Sequence, residues 1–250
     1  MTDRQTKILQ IVNEQKRVEV TSLSELLDVS QVTIRKDLDV LEERGLLTRE
    51  HGYAAVRNTD DITNRLSVRY DTKLKIAKAA AKIVANGETV MIESGSSCAL
   101  LAEQLANEKK DVTIITNSAF IANHIRESAI GKIILLGGDY QTESQVMVGP
   151  MVRKCAREFF VDKLFMGTDG FIPQAGFTCG DMMRAESMKN MAESAKHSII
   201  LTDSSKFEQQ GVVLQSRFEN INMVYTDNGI PDSAKEIMER YQIAVEVIEV

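Results

Sequence analysis

The chain has little with which to do catalytic or metal chemistry. Its three cysteines, Cys98, Cys155 and Cys179, are widely spaced. They form no CxxC pair and no disulfide framework, and they fit the reducing cytoplasm, the expected location. The three histidines, His51, His124 and His197, stand apart from the cysteines, so no zinc site is legible and no metal is expected. No apolar run approaches the length of a membrane span, and the opening residues read as a polar helix rather than a signal peptide. The dinucleotide motif GxGxxG, the nucleotide loop GxxxxGK[ST] and the GxSxG elbow are all missing, so no cofactor is expected. Excess positive charge is missing as well. A net charge of −6 argues for solubility and against nonspecific coating of nucleic acid.

What is present suffices for folding. A hydrophobic fraction of 43% supports a packed core, and 250 residues hold a small domain plus one of ordinary size. The most informative stretch is Val29–Arg57. Ser30 caps a helix whose apolar stripe is Ile34, Leu38 and Leu41 and whose expected stop is Gly45. A short basic hairpin follows, with Arg49, His51 and Gly52 at its centre. Ahead of it, Asp3 can cap a first helix with Ile8, Ile11 and Val12 on one face. Val18 and Val20 suggest a short strand, and Ser22 and Glu25 have capping-box spacing before Leu26 and Leu27. The order helix, strand, helix, turn, helix, wing is that of a domain that reads double-stranded DNA in the major groove. Val32, Thr33 and Lys36 point away from the stripe, with Arg35 at the edge of that face. Arg and Lys suit guanine or phosphate, Gln31 adenine, and Val32 a thymine methyl. Residues 1–57 carry nine Lys and Arg against ten Asp and Glu, so local placement rather than net charge carries this reading. Glu25, Glu42 and Glu43 are expected away from the groove face, and Arg35, Lys36, Arg49 and Arg57 on it.

These residues resemble the winged helix-turn-helix of the DeoR family of bacterial regulators. The matching positions include Ser30, Thr33, Ile34, Arg35, Asp37, Leu38, Leu41, Glu42, Gly45, Leu46, Arg49, His51 and Gly52. Tyr53 departs from the family, which usually has a second glycine there. The contacts implied for DNA are Ser30, Gln31, Val32, Thr33, Arg35, Lys36, Arg49 and His51.

Composition shifts near Asn58. The polar stretch 58–72 reads as a linker into a helix starting near Lys73, so the expected domains are 1–57 and 73–250. Beyond Glu88, short apolar runs alternate with amphipathic helices. The expected strands are ETVMIE, DVTIIT, KIILLG, KLFMGT, SIILTD, NMVYTD and IAVEVI. Helices fit at Ser97–Asn107, Ser118–Glu127, Pro150–Phe159, Asp181–Lys196 and Pro231–Tyr241, with proline in the first turn of the third and fifth. That alternation predicts an α/β domain with a mostly parallel sheet covered on both faces, its ligand in the loops beyond the strands' carboxyl ends.

Five of those loops share a chemistry. They carry Ser94, Gly95, Ser96 and Ser97; Thr116, Asn117 and Ser118; Gly137, Gly138 and Asp139; Gly167, Thr168, Asp169 and Gly170; and Asp203, Ser204, Ser205 and Lys206. The first alone reads equally as an ordinary serine-capped turn. Together they suit a phosphorylated polyol. The Ser94–Ser97 turn would hold the phosphate with help from Lys206, and Asn117, Asp169 and Asp203 would hold hydroxyls. Glu186 and Lys189 lie three apart on a helix beside these loops, a spacing that also suits a plain surface ion pair. Met182, Met183, Met188 and Met191 are expected to fill the core.

The resemblance extends over 73–250, which is similar to the sensor domain of the same family through ESGSS, TIITNS, LLGGDY, VDKLFMGTDG, AGFT, AESMKN and LTDSSKF. Glu93 stands where aspartate is usual, and Ser97 where threonine is common. The resemblance implies a fold like ribose-5-phosphate isomerase and an effector that is a phosphorylated sugar or sugar alcohol. The implied contacts are Ser94, Gly95, Ser96, Ser97, Asn117, Gly137, Gly138, Asp169, Glu186, Lys189, Asp203 and Lys206. Two functions compete. One is a repressor of a carbohydrate operon, a homo-oligomer (dimer or tetramer) whose heads release operator DNA when the effector binds. The other is a sugar-phosphate isomerase with an accessory helix-turn-helix domain, in which Asp169, Glu186 and Lys206 supply acid and base groups. An isomerase needs no recognition helix, which favours the repressor and an entirely non-enzymatic role.

Overall fold

A computed structural model describes residues 2–43, 46–55, 62–128 and 131–250. The chain divides into two compact units, Met1–Asp71 and Thr72–Val250.

The first unit opens with α1 (Asp3–Gln15). Its cap is Thr2 rather than Asp3: Gln5 N donates to Thr2 Oγ1 at 3.3 Å, and Thr2 N donates to Gln5 Oε1 at 3.0 Å, a reciprocal capping box. Ile8, Leu9 and Val12 are buried, while Ile11 stays half-exposed. After β1 (Arg17–Glu19) comes α2 (Val20–Leu26), which starts two residues before the expected Ser22 cap, so Ser22 lies inside it. In α3 (Gln31–Glu43), Ile34, Leu38 and Leu41 are fully buried, as the stripe predicts. Ser30 Oγ accepts from Thr33 N at 3.2 Å, so this cap forms as expected. The expected stop at Gly45 lies outside the described residues, as does Arg57. The wing is β2 (Thr48–Glu50) and β3 (Tyr53–Ala55), paired antiparallel in a sheet of order β1-β3-β2.

Of the segment expected as a linker, 58–61 lie outside the described residues. Ile62–Ser67 form α4, which packs on α1 and buries Ile62, Asn64 and Leu66. The Ile62/Leu66 pair is one helical turn apart, a signal too short to stand out among polar neighbours. The next helix, α5 (Tyr70–Ala81), begins three residues ahead of the expected Lys73.

All seven expected strands form, at β4 (Thr89–Ile92), β5 (Thr113–Thr116), β6 (Lys132–Leu135), β9 (Val161–Met166), β12 (Ala195–Leu201), β14 (Met223–Asp227) and β15 (Ala244–Ile248). They make one parallel sheet of order β15-β14-β12-β9-β4-β5-β6. The intervening helices are α6 (Ser96–Glu108), α7 (Ala119–His124), α8 (Pro150–Ala156), α9 (Met182–Ala192) and α10 (Asp232–Arg240). Pro150 occupies the first turn of α8, whereas Pro231 is the residue before α10. Ala195 and Lys196, expected in a helix, begin β12 instead, because β12 pairs with β9 from Ala195 onward.

The second unit also has antiparallel elements that a periodicity reading does not separate from loops. The hairpin β7 (Asp139–Gln141) and β8 (Val146–Val148) stands alone, and β10 (Gly170–Ile172), β11 (Gly176–Cys179) and β13 (Val213–Arg217) form a three-stranded sheet. Phe171, Phe177 and Phe218 pack edge to face or tilted between this sheet and the main core. Met188 and Met191 join that core as expected, but Met182 and Met183 are exposed on the first turn of α9. Among the described residues, no helix is long and apolar enough to cross a membrane.

The burial of α3 sets a test of the first unit. Leu38→Ala should cost about 2–5 kcal/mol through lost burial and a residual cavity. Leu26→Ala, at a side chain 59% exposed, should change stability by no more than about 0.5 kcal/mol. Urea denaturation followed by circular dichroism checks both. Equal effects would mean that the helix is not packed as described.

Candidate functional sites

In the first unit, Gln31, Val32, Arg35 and Lys36 are exposed, and Thr33 is half-buried beside the Ser30 cap. The side opposite this face is locked to α1. Asp37, 6% exposed, accepts from Arg4 Nε at 2.5 Å and from Gln5 Nε2 at 3.1 Å. These bonds set the rotation of α3, and the same hydrogen bond raises the Arg4 guanidinium above its ordinary value.

The wing departs from expectation. Arg49 pairs through Nη1 with Asp39 Oδ1, and its backbone N donates to Glu42 Oε1 at 2.9 Å. Glu42 therefore faces the wing, and the Arg49 charge is partly answered from within the domain. The turn is His51-Gly52, with φ of 20° and 87°, the positive values that a tight two-residue hairpin needs. Tyr53 is not in that region and sits in β3 opposite Glu50 and Glu19. Its hydroxyl donates to Glu19 Oε1 at 2.5 Å, which raises the phenol above its ordinary value, and Arg17 lies 4.1 Å from its ring centre. Tyr53 thus fastens the wing to β1.

In the second unit, chain order explains where a ligand would sit. From β4 the sheet grows in one direction through β5 and β6, and from β9 in the other through β12, β14 and β15. The crevice beyond the carboxyl ends of β4 and β9 is therefore the switch point of the topology. Gly95, with φ of 149°, brings the loop after β4 so close to the loop after β9 that a Cβ on it would lie 3.7 Å from Gly167 Cα. Ser96 and Ser97 open α6 with no side chain capping its first amides. Ser94 Oγ donates to Glu93 Oε1 at 2.5 Å, and Glu93 is fully buried.

The neighbouring loops are brought in by hydrogen bonds. Asp169 Oδ2 accepts from Gly180 N at 3.0 Å, and the Thr168 hydroxyl lies 2.9 Å from the Gly170 and Thr178 carbonyl oxygens, which share its one proton. Asn117, fully buried, donates through Nδ2 to Met147 O at 3.0 Å, which ties the loop after β5 to the β7–β8 hairpin. The hairpin reaches α9 through Gln141 Nε2, 3.2 Å from Asp181 Oδ1. Gly138 passes so close to Val148 O that a Cβ would lie 2.6 Å away, whereas Gly137 is open.

The other expected contacts lie as follows. Asp203 caps a short 3-10 turn, accepting from Ser205 N at 3.1 Å and Ser205 Oγ at 2.5 Å. Lys206 Nζ donates to Gln209 Oε1 at 2.9 Å. Glu186 and Lys189 are exposed on the outer face of α9, and no ion pair joins them. Lys189 lines a cavity with Ala195, Lys196 and Ser198 of β12 and Gln215 of β13. Asp169 and Lys206 thus have partners of their own, Gly180 N and Gln209, and Glu186 is exposed on α9.

Arg184 was not singled out in the sequence. It is 6% exposed, and together with Asp169 and Glu93 it acts electrostatically on Cys179. It shares one side of α9 with Met188 and Met191, at spacings of four and seven. A cation on a buried stripe, one turn after a capping Asp181, was the legible signal. Gln215, fully buried, donates through Nε2 to Gly167 O at 2.8 Å, and no sequence signal marked it. Among the described residues, no group of three or more side chains could hold a metal ion.

Comparison with known proteins adds identity to this geometry. The family model described as the DeoR C terminal sensor domain matches residues 68–228, and that of the DeoR-like helix-turn-helix domain matches residues 4–60. A putative aga operon transcriptional repressor of Escherichia coli O157:H7 is 29% identical, over 98% of this chain and 93% of its own. The glycerol-3-phosphate regulon repressor of Escherichia coli K12 is 27% identical, over 98% of each chain. Among solved structures, a ribose 5-phosphate isomerase from Methanocaldococcus jannaschii aligns over 56% of this chain and 55% of its own, at 24% identity and a TM-score of 0.41.

The surroundings of Cys179 predict its reactivity. Burial pushes its thiol above the ordinary value, and the thiolate is the reactive form. At pH 8, iodoacetamide should label the half-buried Cys155 first, with Cys98 and Cys179 protected until the fold opens. Peptide mapping by mass spectrometry checks the order, and early labelling of Cys179 would contradict its burial.

Proposed function

This chain belongs to the DeoR family of transcriptional regulators, and from that premise we propose that it represses a carbohydrate-utilisation operon and is released by a phosphorylated sugar or sugar alcohol. It is a regulator and not an enzyme, so the isomerase reading is set aside. The observation that carries the DNA half is the exposed face of α3, where Gln31, Val32, Arg35 and Lys36 lie opposite a fully buried stripe. Arg35 and Lys36 reach base edges or phosphate, Gln31 and Val32 meet base edges, and Ser30, Thr33, Arg49 and His51 support the approach. The domain boundary we propose lies between residues 57 and 73, and a homo-oligomer brings two heads to two half-sites.

The Ser94–Ser97 turn at the switch point supports the effector half. Uncapped amides at the start of α6 suit a phosphate, and Asn117, Asp169 and Arg184 lie on the loops and helix that surround it. The effector acts by unequal affinity for two arrangements of the oligomer, so that its binding depletes the one that matches operator spacing.

Replacing Arg35 or Lys36 by alanine should weaken operator binding by about 1–3 kcal/mol where the side chain meets a base, or flatten the salt dependence where it meets phosphate. Fluorescence anisotropy at fixed salt reads this, and a double variant that binds like the parent would refute the α3 assignment.

The effector assignment has its own test. A sugar phosphate at 100 times its dissociation constant should add about 2.7 kcal/mol of stability, and the free sugar much less. Gly95→Val forces a β-branched residue into φ of 149°. It should leave operator binding intact and abolish release by the effector. Calorimetric titration checks both, and equal affinity for phosphorylated and free sugar would move the phosphate elsewhere.

A further inference from the structure

One residue of the small antiparallel sheet is out of register with its own ladder. Along β11 and β13, Gly176 pairs with Arg217 and Phe177 with Ser216, then Thr178 with Leu214 and Cys179 with Val213. Gln215 is passed over, so it is the extra residue of a β-bulge on β13. A bulge bends its strand and re-aims a side chain, and bulges recur beside functional sites. The side chain at this bulge is a fully buried amide, and its Nε2 donates to Gly167 O at 2.8 Å. Its Oε1 has no hydrogen-bond partner. A buried amide with one end unpaired costs stability that an apolar residue of the same size would not. Local rules broken in this way concentrate at functional sites.

The acceptor of that bond lies at the switch-point crevice. Gly167 opens the loop after β9, and a Cβ on it would lie 3.9 Å from Gly95 Cα and from Ser94 O. Two residues further on, Asp169 is held by the same small sheet. Its backbone N donates to Thr178 O at 3.0 Å, and its Oδ2 accepts from Gly180 N at 3.0 Å. Thr178 is also the residue at which the β11 register shifts. The loop is therefore clamped twice, at Gly167 by a side chain of β13 and at Asp169 by the backbone of β11 and the residue after it.

We propose that the bulged Gln215 is a positioning residue of the effector crevice, which fixes the Gly167–Asp169 loop so that the Asp169 carboxylate meets a hydroxyl of the ligand. A ligand contact is only as precise as the groups that hold it from behind. The phosphate is left to the Ser94–Ser97 turn, so Gln215 governs the preference for a phosphorylated polyol over phosphate itself. This inference rests on the reading of the crevice as the effector site. It goes beyond that reading in assigning the selectivity to a buried side chain that acts through its neighbours.

Isothermal titration of the full-length chain with glucose 6-phosphate, glycerol 3-phosphate and inorganic phosphate tests the role. The parent should bind at least one of the two polyol phosphates more tightly than phosphate, and that ratio of affinities is the readout. Gln215→Met keeps the volume and removes the donor. It should lower the ratio at least about tenfold, or to one, with phosphate affinity within about twofold of the parent's and operator binding unchanged. Gln215→Asn, whose amide falls a methylene short of Gly167 O, takes its place if the methionine variant does not fold. Asp169→Asn should also lower the ratio, and adding Gln215→Met to it should lower it no further, because both changes act on one contact. An unchanged ratio in Gln215→Met overturns the proposal and leaves the effector reading standing. Equal losses for phosphate and polyol phosphate, losses that add in the double variant, or failure of both Gln215 variants to fold give Gln215 a purely structural role and also overturn it. A parent that prefers neither polyol phosphate to phosphate fells the effector reading itself, and this inference with it.

Discussion

The second unit depends on the pairing of β4 with β9. Met91 and Ile92 lie beside Leu164 and Phe165, and Glu93 N continues the ladder to Phe165 O at 2.9 Å. These two strands are some seventy residues apart in sequence, so their adjacency closes a long loop at an entropic cost that grows only slowly with length. Burial of apolar side chains on both faces of the strands offsets it. Once the pair is made, the rest of the topology follows. Each half of the sheet extends away from it, and the loops that leave β4 and β9 have to diverge around a crevice. Gly95 and Gly167 face each other across that crevice at ordinary van der Waals distance, and it is the φ of 149° at Gly95, rather than lack of space, that favours glycine there.

The first unit rests on a different kind of constraint. Its apolar stripe buries α3, but a stripe alone tolerates some rotation of a helix about its axis. Asp37 removes that freedom by accepting from two side chains of α1. Since Lys36 and Asp37 are neighbours on the same helix, fixing one fixes the direction of the other. A buried carboxylate thereby serves an exposed cation. Tyr53 does the same for the wing, where its hydroxyl and its ring engage Glu19 and Arg17 of β1.

The helix α9 joins two chemistries. Its first turn carries Arg184 inward to the neighbourhood of Asp169, Glu93 and Cys179, and its later turns present Lys189 outward to the cavity of Gln215. Between them Met188 and Met191 fill the core.

Much of this was legible in the residues. The recognition helix, its Ser30 cap and its stripe are features of a few turns of chain, and local periodicity reports them directly. The same holds for the seven parallel strands, whose apolar runs and flanking small residues mark each one. Side-chain direction at the sites was decided by the tertiary structure. Arg49 read as a free basic residue, yet the wing folds back so that Asp39 meets it. Asp203 read as a ligand group, yet the turn after β12 uses it as a cap. Glu186 and Lys189 belong to a helix that starts at the crevice, but the helical period turns them to its outer face. The sheet of β10, β11 and β13 and the surroundings of the inward Arg184 were not read from the residues. β10 and β11 are strands of only three and four residues, while β13 and the Glu93 near Arg184 lie tens of residues from their partners, which only the closure of the chain brings within reach.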